Sequence, residues 1–194
     1  MTEAEILQVV RGKAVPHPTK GLKRIETHVS WVLLGDKHVY KIKKPLALSF
    51  LDFSTLENRL ANCEREVLLN RRLAPEMYFG VLPVVMSDTG PRILGGPVRQ
   101  PADGPDELAG EGIGEPATEV IDYAVWMRRM DETRQLDVLL EGGNVRIEDM
   151  CGLVQILAAF HQKAPVVREA EDWCDIQEEF RDLQSVTATL VDVL

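Results

Sequence analysis

Two short segments hold the residues best placed to do chemistry. VYKIKKP, from Val39, sets three lysines in a β-rich stretch, and ANCEREVLLNRRLAP, from Ala61, sets Glu64 and Glu66 in a helical one. Side chains alternate along a strand, so Lys41 and Lys43 share a face with Val39 while Lys44 points the other way. An ammonium fixed on a strand can neutralise phosphate oxygens, and a helix carboxylate beside it can restrain its rotamers before a ligand arrives. The competing explanations are structural. Lysines guard a sheet edge against aggregation, and acids near Arg65, Arg71 and Arg72 make a solvated helix face worth roughly a few tenths of a kcal/mol per ion pair.

The surrounding pattern supplies elements to carry these residues. Thr2 to Val10 predicts an opening helix, with Thr2 and Glu5 at capping-box spacing and Ile6, Val9 and Val10 on one side. PHPTKG, from Pro16, is a loop. Ile25 to Leu34 and His38 to Lys44 read as two strands joined by a turn at Gly35-Asp36-Lys37, and Pro45 ends the second. The period then changes: Leu56, Leu60, Cys63 and Val67 predict a helix from about Thr55 to Leu73, with Ser54 and Glu57 as its capping pair. Phe79 to Met86 and Arg92 to Leu94 flank a turn at Ser87-Asp88-Thr89-Gly90. Gln100 to Thr118, rich in Pro, Gly, Ala and acid, reads as a mobile loop or insertion. Glu119 to Met127 returns to strand character. Ile147, Met150, Val154, Leu157 and His161 share one helical face, and Trp173, Ile176, Phe180, Leu183, Thr187, Leu190 and Leu194 form a seam running to the last residue.

Composition narrows the function classes. The 194 residues are 45% hydrophobic and 27% charged, with a net charge of −9, ordinary for a soluble globular protein. That acidity argues against binding a nucleic-acid backbone. Three separated cysteines and no CxxC argue against a disulfide framework, and four scattered histidines against a zinc site. No apolar run approaches the length of a membrane span, and the acidic amphipathic start is unlike a signal peptide. A cytoplasmic location is expected.

The strings IETHVSWVLLGDKHVYKIKKP, SFLDFSTLENR, EVLLNRRLAPEMYFGVLPV and DYAVWMRRM resemble a bacterial subgroup of small-molecule kinases, in the aminoglycoside phosphotransferase-like branch of the protein-kinase-like fold. The resemblance covers roughly Ile25 to Pro165, and its strings are specific together and weak singly. It implies an α+β architecture: a kinase-like small lobe over residues 1–127, made of an antiparallel sheet plus one long helix, then a hinge and the first helices of a truncated large lobe over 128–194. It implies ATP as the ligand, accompanied by magnesium. Lys41 becomes the phosphate lysine, matching the lysine of the kinase V-A-I-K pattern, with Lys43 as the alternative. Glu66, from REVLL, becomes its orienting carboxylate, with Glu64 as competitor. Thr27 and Ser30 stand where a glycine-rich loop would cover the phosphates. The backbone about Trp126, Met127 and Arg128 becomes the hinge that pairs with an adenine edge, although Trp126 is large for a position expected to alternate polar. His161 resembles the helix end before a catalytic loop and reads as a packed core histidine; Asp131, Glu132 and Asp137 read as surface acids.

The same family needs an aspartate to accept the substrate's hydroxyl proton and further groups to hold metal. No HxD occurs about His17, His28, His38 or His161, and no GxGxxG or Walker P-loop occurs at all. The chain alone is expected to bind nucleotide without turning over a small hydroxyl acceptor. The alternative is a non-catalytic module that binds nucleotide or pairs through residues 173–194, with a second copy or with a missing C-terminal half.

Overall fold

Thr2 opens the first helix as its side chain accepts from the Glu5 amide, while the Glu5 carboxylate accepts from the Thr2 amide. This capping box starts α1, Glu3–Gly12, which turns Ile6 and Val9 inward and ends at Lys13 in the left-handed conformation. The computed structural model of the chain describes residues 1–48, 51–96 and 119–165. The expected loop at Gln100 to Thr118 and the seam from Trp173 to Leu194 both lie wholly outside the described residues.

The chain is α+β. Its centre is a six-stranded antiparallel sheet of β1 (Lys23–Glu26), β2 (Ser30–Leu34), β3 (His38–Lys43), β6 (Tyr78–Ser87), β7 (Gly90–Ile93) and β8 (Val120–Arg128), ordered β1-β2-β3-β8-β6-β7. One long helix, α2 (Leu56–Arg71), packs on β8 and β6, and α1 packs against β7. Two further helices, the short α3 (Leu136–Glu141) and the longer α4 (Ile147–Lys163), follow the last strand. This is the arrangement expected of a small lobe followed by helices.

Each sheet face has its own core. Ile6 and Val9 of α1 meet Trp31, Leu33, Tyr40, Ile42, Leu82, Val84, Ile93 and Ala124 on one face. Cys63 and Val67 of α2 meet Val81 and Val125 on the other, with Leu60, Tyr78, Tyr123 and Met127 packed around them. Alternation along β3 therefore sends Tyr40 and Ile42 into the first core and leaves Val39, Lys41 and Lys43 on the face that α2 covers.

Two expectations about the elements are corrected. Ile25 to Leu34 is not one strand: the chain reverses between β1 and β2, where Thr27 and Ser30 exchange hydrogen bonds through the Thr27 amide and hydroxyl. No Gly or Pro marks this turn; the threonine hydroxyl closes it instead. A second small hairpin, β4 (Ala47–Leu48) with β5 (Leu51–Asp52), follows Pro45. The cap of α2 is Thr55 and not Ser54. Thr55 accepts from the Asn58 amide at 3.1 Å, while Ser54 is held by Asp52. Thr55→Ala is expected to cost about 1 kcal/mol, seen as a lower urea midpoint with an unchanged slope.

The helix around Ile147 forms as its periodicity predicts, but no described residue of α4 is buried. His161 is exposed and not a packed core histidine. Among the described residues, no helix is long and apolar enough to cross a membrane.

Candidate functional site

The register of the sheet sets the site. Lys41 lies opposite Val32 on β2 and Val125 on β8, Lys43 lies opposite Ser30, and Val39 opposite Met127. Paired residues share a face, so Ser30, Val32, Val39, Lys41, Lys43, Val125 and Met127 line one side of the sheet. Glu66 reaches that side from the middle of α2, because Cys63 and Val67 turn the same helical flank toward Val81 and Val125.

Glu66 takes both lysines. Its Oε1 accepts from Lys41 Nζ at 2.8 Å and its Oε2 from Lys43 Nζ at 2.7 Å. The three groups differ in exposure: the Lys41 side chain is 29% exposed, Glu66 14% and Lys43 7%. Lys43 also lies 4.8 Å over the Phe53 ring, an additional contact for its ammonium. Lys43 is thus an interior strut for the carboxylate, and Lys41 is the cation turned toward solvent. Lys44 departs, as alternation requires, to Glu26 at 2.6 Å and the Trp31 ring. Glu64, the competing acid, makes neither lysine contact; Glu66 makes both.

Electrostatics at the site follow from this geometry. Burial acts to raise the Glu66 pKa, but the hydrogen bonds and charges of Lys41 and Lys43 outweigh it and hold the carboxyl below its ordinary value. Glu66 is therefore a carboxylate at neutral pH, and two cations with one anion leave an excess positive charge. Burial pushes the neighbouring Cys63 thiol up to about 12, so it supplies no thiolate. Tyr78 has its pKa raised by burial and then by the nearby Glu66 charge.

The remaining expected residues divide. Ser30 is fully buried, and its hydroxyl has no hydrogen-bond partner among the described residues, an unusual state for a buried polar atom. Thr27, in contrast, spends its hydroxyl closing the β1–β2 turn. Met127 is on the lysine face but at the far end of β8, beside Tyr78 and Val39. Among the described residues, no group of three or more His, Cys, Asp or Glu could hold a metal ion.

Sequence reasoning missed what holds α2 in place. Asp122, fully buried on β8, accepts from Arg59 Nε of α2 at 2.9 Å, from its neighbour's amide at 2.9 Å and from the Met1 ammonium at 2.6 Å. The Arg59 Nη1 also donates to the carbonyls of Phe53 and Ser54. At the other end of α2, Arg71 donates to the carbonyls of Tyr78 and Phe79. The signal was present: Arg59 is four residues before Cys63, on the buried flank, and Asp122 stands alone in an apolar strand.

Among known proteins, the chain is 30% identical over 139 residues to uncharacterized proteins of Mycobacterium bovis and of two strains of Mycobacterium tuberculosis. The match takes in 72% of this chain, which spans only 22% of the length of the curated relatives it matches. No protein-family model matches the chain, and no solved structure matches it.

Proposed function

We propose that this chain is the nucleotide-binding part of an ATP-dependent, small-molecule kinase-like protein of the aminoglycoside phosphotransferase-like type. The observation that carries the reading is the shared carboxylate: Glu66 holds Lys41 at 2.8 Å and Lys43 at 2.7 Å. A cation so restrained meets an incoming phosphate without first losing rotamer freedom, which is how positioning contributes in phosphoryl transfer.

The residues present fit the ligand. Lys41 offers a half-exposed ammonium for phosphate oxygens, with Lys43 behind it. The half-buried Val32 and Leu34 and the exposed Ile25 form an apolar strip on the same face, suited to a flat base. The Ser30 hydroxyl, without a partner among the described residues, is a buried polar atom beside the lysines. Met127, near the end of β8, is the proposed adenine neighbour through its side chain on the lysine face, the strand about it being paired with β3 and β6. Magnesium bound with the triphosphate would supply further charge neutralisation. The residues of this chain account for phosphate positioning, and the sequence has no HxD motif to accept a hydroxyl acceptor's proton.

The alternative is a binding module without catalysis. It is favoured by α4, whose Ile147 is 71% and Val154 60% exposed, apolar positions open to a partner. Titration calorimetry with ATP and magnesium tests the first reading. Lys41→Ala is expected to weaken binding roughly 10- to 150-fold, the loss of one charged hydrogen bond at about 1.5–3 kcal/mol. Lys44→Ala, on the opposite face, should leave affinity unchanged. Absence of binding, or an unaltered Kd in Lys41→Ala, would overturn the proposal.

A further inference from the structure

A cluster of rings forms where the loop after α1 crosses the first residue of β3 and the last residues of β8. His17 stacks on His38 with ring centroids 4.0 Å apart and on Trp126 at 4.5 Å, and Phe79 packs on Trp126 at 4.7 Å. The Trp126 indole Nε1–H donates to His38 Nδ1 at 2.9 Å, and His17 Nδ1 is hydrogen-bonded to the Tyr40 hydroxyl at 2.7 Å. This accounts for the large Trp126 side chain at a strand position where the sequence pattern calls for a polar one.

The indole contact fixes a protonation state. An indole N–H is a donor only, so its partner nitrogen must carry a free lone pair. His38 is therefore neutral, with its ring proton on Nε2. Protonation at Nδ1 would set two donors against each other, and the new charge would face the His17 ring 4.0 Å away. The charged and titratable groups around the pair are Lys37 and Asp36 in the β2–β3 turn, Tyr40 on β3, Arg128 at the end of β8 and Arg129 just beyond it. Asp36 accepts from the Lys20 amide at 2.9 Å, and among the described residues no carboxylate is hydrogen-bonded to either ring. The neighbourhood is thus poor in compensation for an imidazolium.

We propose that His38, Trp126 and His17 form a pH-operated clasp, holding the end of β8 on β3 at neutral pH and releasing it in mildly acidic solution. The clasp sits at a junction. The Arg129 amide donates to the Lys37 carbonyl at 2.9 Å and its guanidinium to the Gly35 carbonyl at 2.9 Å. Opening the ring cluster loosens the segment that leads from the sheet to α3, whether or not the sheet binds nucleotide.

The direction of the pH effect follows from two lowered pKa values. Burial lowers both histidines, aided by His38 at His17 and by Lys37 at His38. A depressed folded-state pKa means that the stabilisation is complete above the ordinary value of 6.5 and is lost as pH falls through the folded-state values below it.

The test uses the full chain carrying Trp31→Phe and Trp173→Phe, so that Trp126 alone emits. Its fluorescence is followed from about pH 8 to about pH 5, across the histidine range. A transition with its midpoint below 6.5 is expected, together with its loss in His38→Gln, whose amide oxygen accepts the indole proton without titrating. A flat profile in the parent, or the same transition in His38→Gln, overturns the clasp. Should those variants not fold, the indole Nε1–H resonance of Trp126 in the unaltered chain, identified by its absence from Trp126→Phe, gives the same decision. A shift with its midpoint below 6.5 supports the clasp, and an unmoved resonance overturns it.

Discussion

Asp122→Ala is expected to lower the unfolding free energy by roughly 3–5 kcal/mol, the cost of leaving buried charges without their partner. The Asp122 carboxylate is fully buried between the Arg59 guanidinium and the Met1 ammonium, both of which are also buried. Removing it strands two cations in the interior at once. Asp122→Asn should cost almost as much, since the amide keeps the shape and loses the charge. Arg59→Met should cost less, because the ammonium still balances the aspartate and the methionine stem replaces part of the buried volume. Urea unfolding of the three variants gives the order directly. A loss below about 1 kcal/mol in Asp122→Ala, the range of exposed ion pairs, would mean the triad contributes little. The effect reaches the site through α2. Arg59 ties the first half of that helix to β8, and Glu66 stands seven residues, about two turns, further along. Loosening that tie shifts the carboxylate on which both lysines depend.

The parts of the fold legible in the sequence are those set by local rules. The period of two over His38–Lys43 fixed which lysines share a face, and the change of period after Ser54 marked the long helix. Gly35 announced its turn, and its amide accordingly donates to the His38 carbonyl at 2.8 Å. What the sequence hid was nonlocal or atypical. The β1–β2 turn uses a threonine hydroxyl in place of glycine, so propensity read the two strands as one. Ser54 and Thr55 offer rival caps one residue apart, and the choice went to Thr55 because Asp52 claims the Ser54 amide and hydroxyl. Lys41 and Lys43 were indistinguishable by alternation alone. Only the position of Phe53 and α2 makes Lys43 the buried strut and Lys41 the exposed cation. His17 lies 21 residues from His38, and no periodicity could bring an irregular PHP loop onto β3 and β8.

The division of labour between the two lysines predicts opposite effects on stability and on binding. Lys41→Met removes a partly exposed partner and should change stability by no more than about 1 kcal/mol, while nucleotide affinity falls as in Lys41→Ala. Lys43→Met removes the buried partner. It leaves the Lys41–Glu66 contact in place, so affinity should fall less than in Lys41→Met, while stability falls more. Glu66→Ala combines both losses. Lys43 is then nearly enclosed without its carboxylate, which costs about 3 kcal/mol or more, and Lys41 swings free of its restraint. Pairing Glu66→Leu with Lys43→Met should recover much of that stability, because an apolar pair of similar volume commonly replaces a buried ion pair at little cost, yet it should not restore Lys41's placement or the affinity that depends on it. Acid unfolding gives an independent reading. With the Glu66 pKa held below its ordinary 4.5 in the folded state, its contribution is complete above that value and lost as pH falls through the folded-state value. The Glu66→Leu/Lys43→Met chain should lack that component. If Lys43→Met abolished binding while Lys41→Met preserved it, the exposed and buried lysines would have to exchange roles.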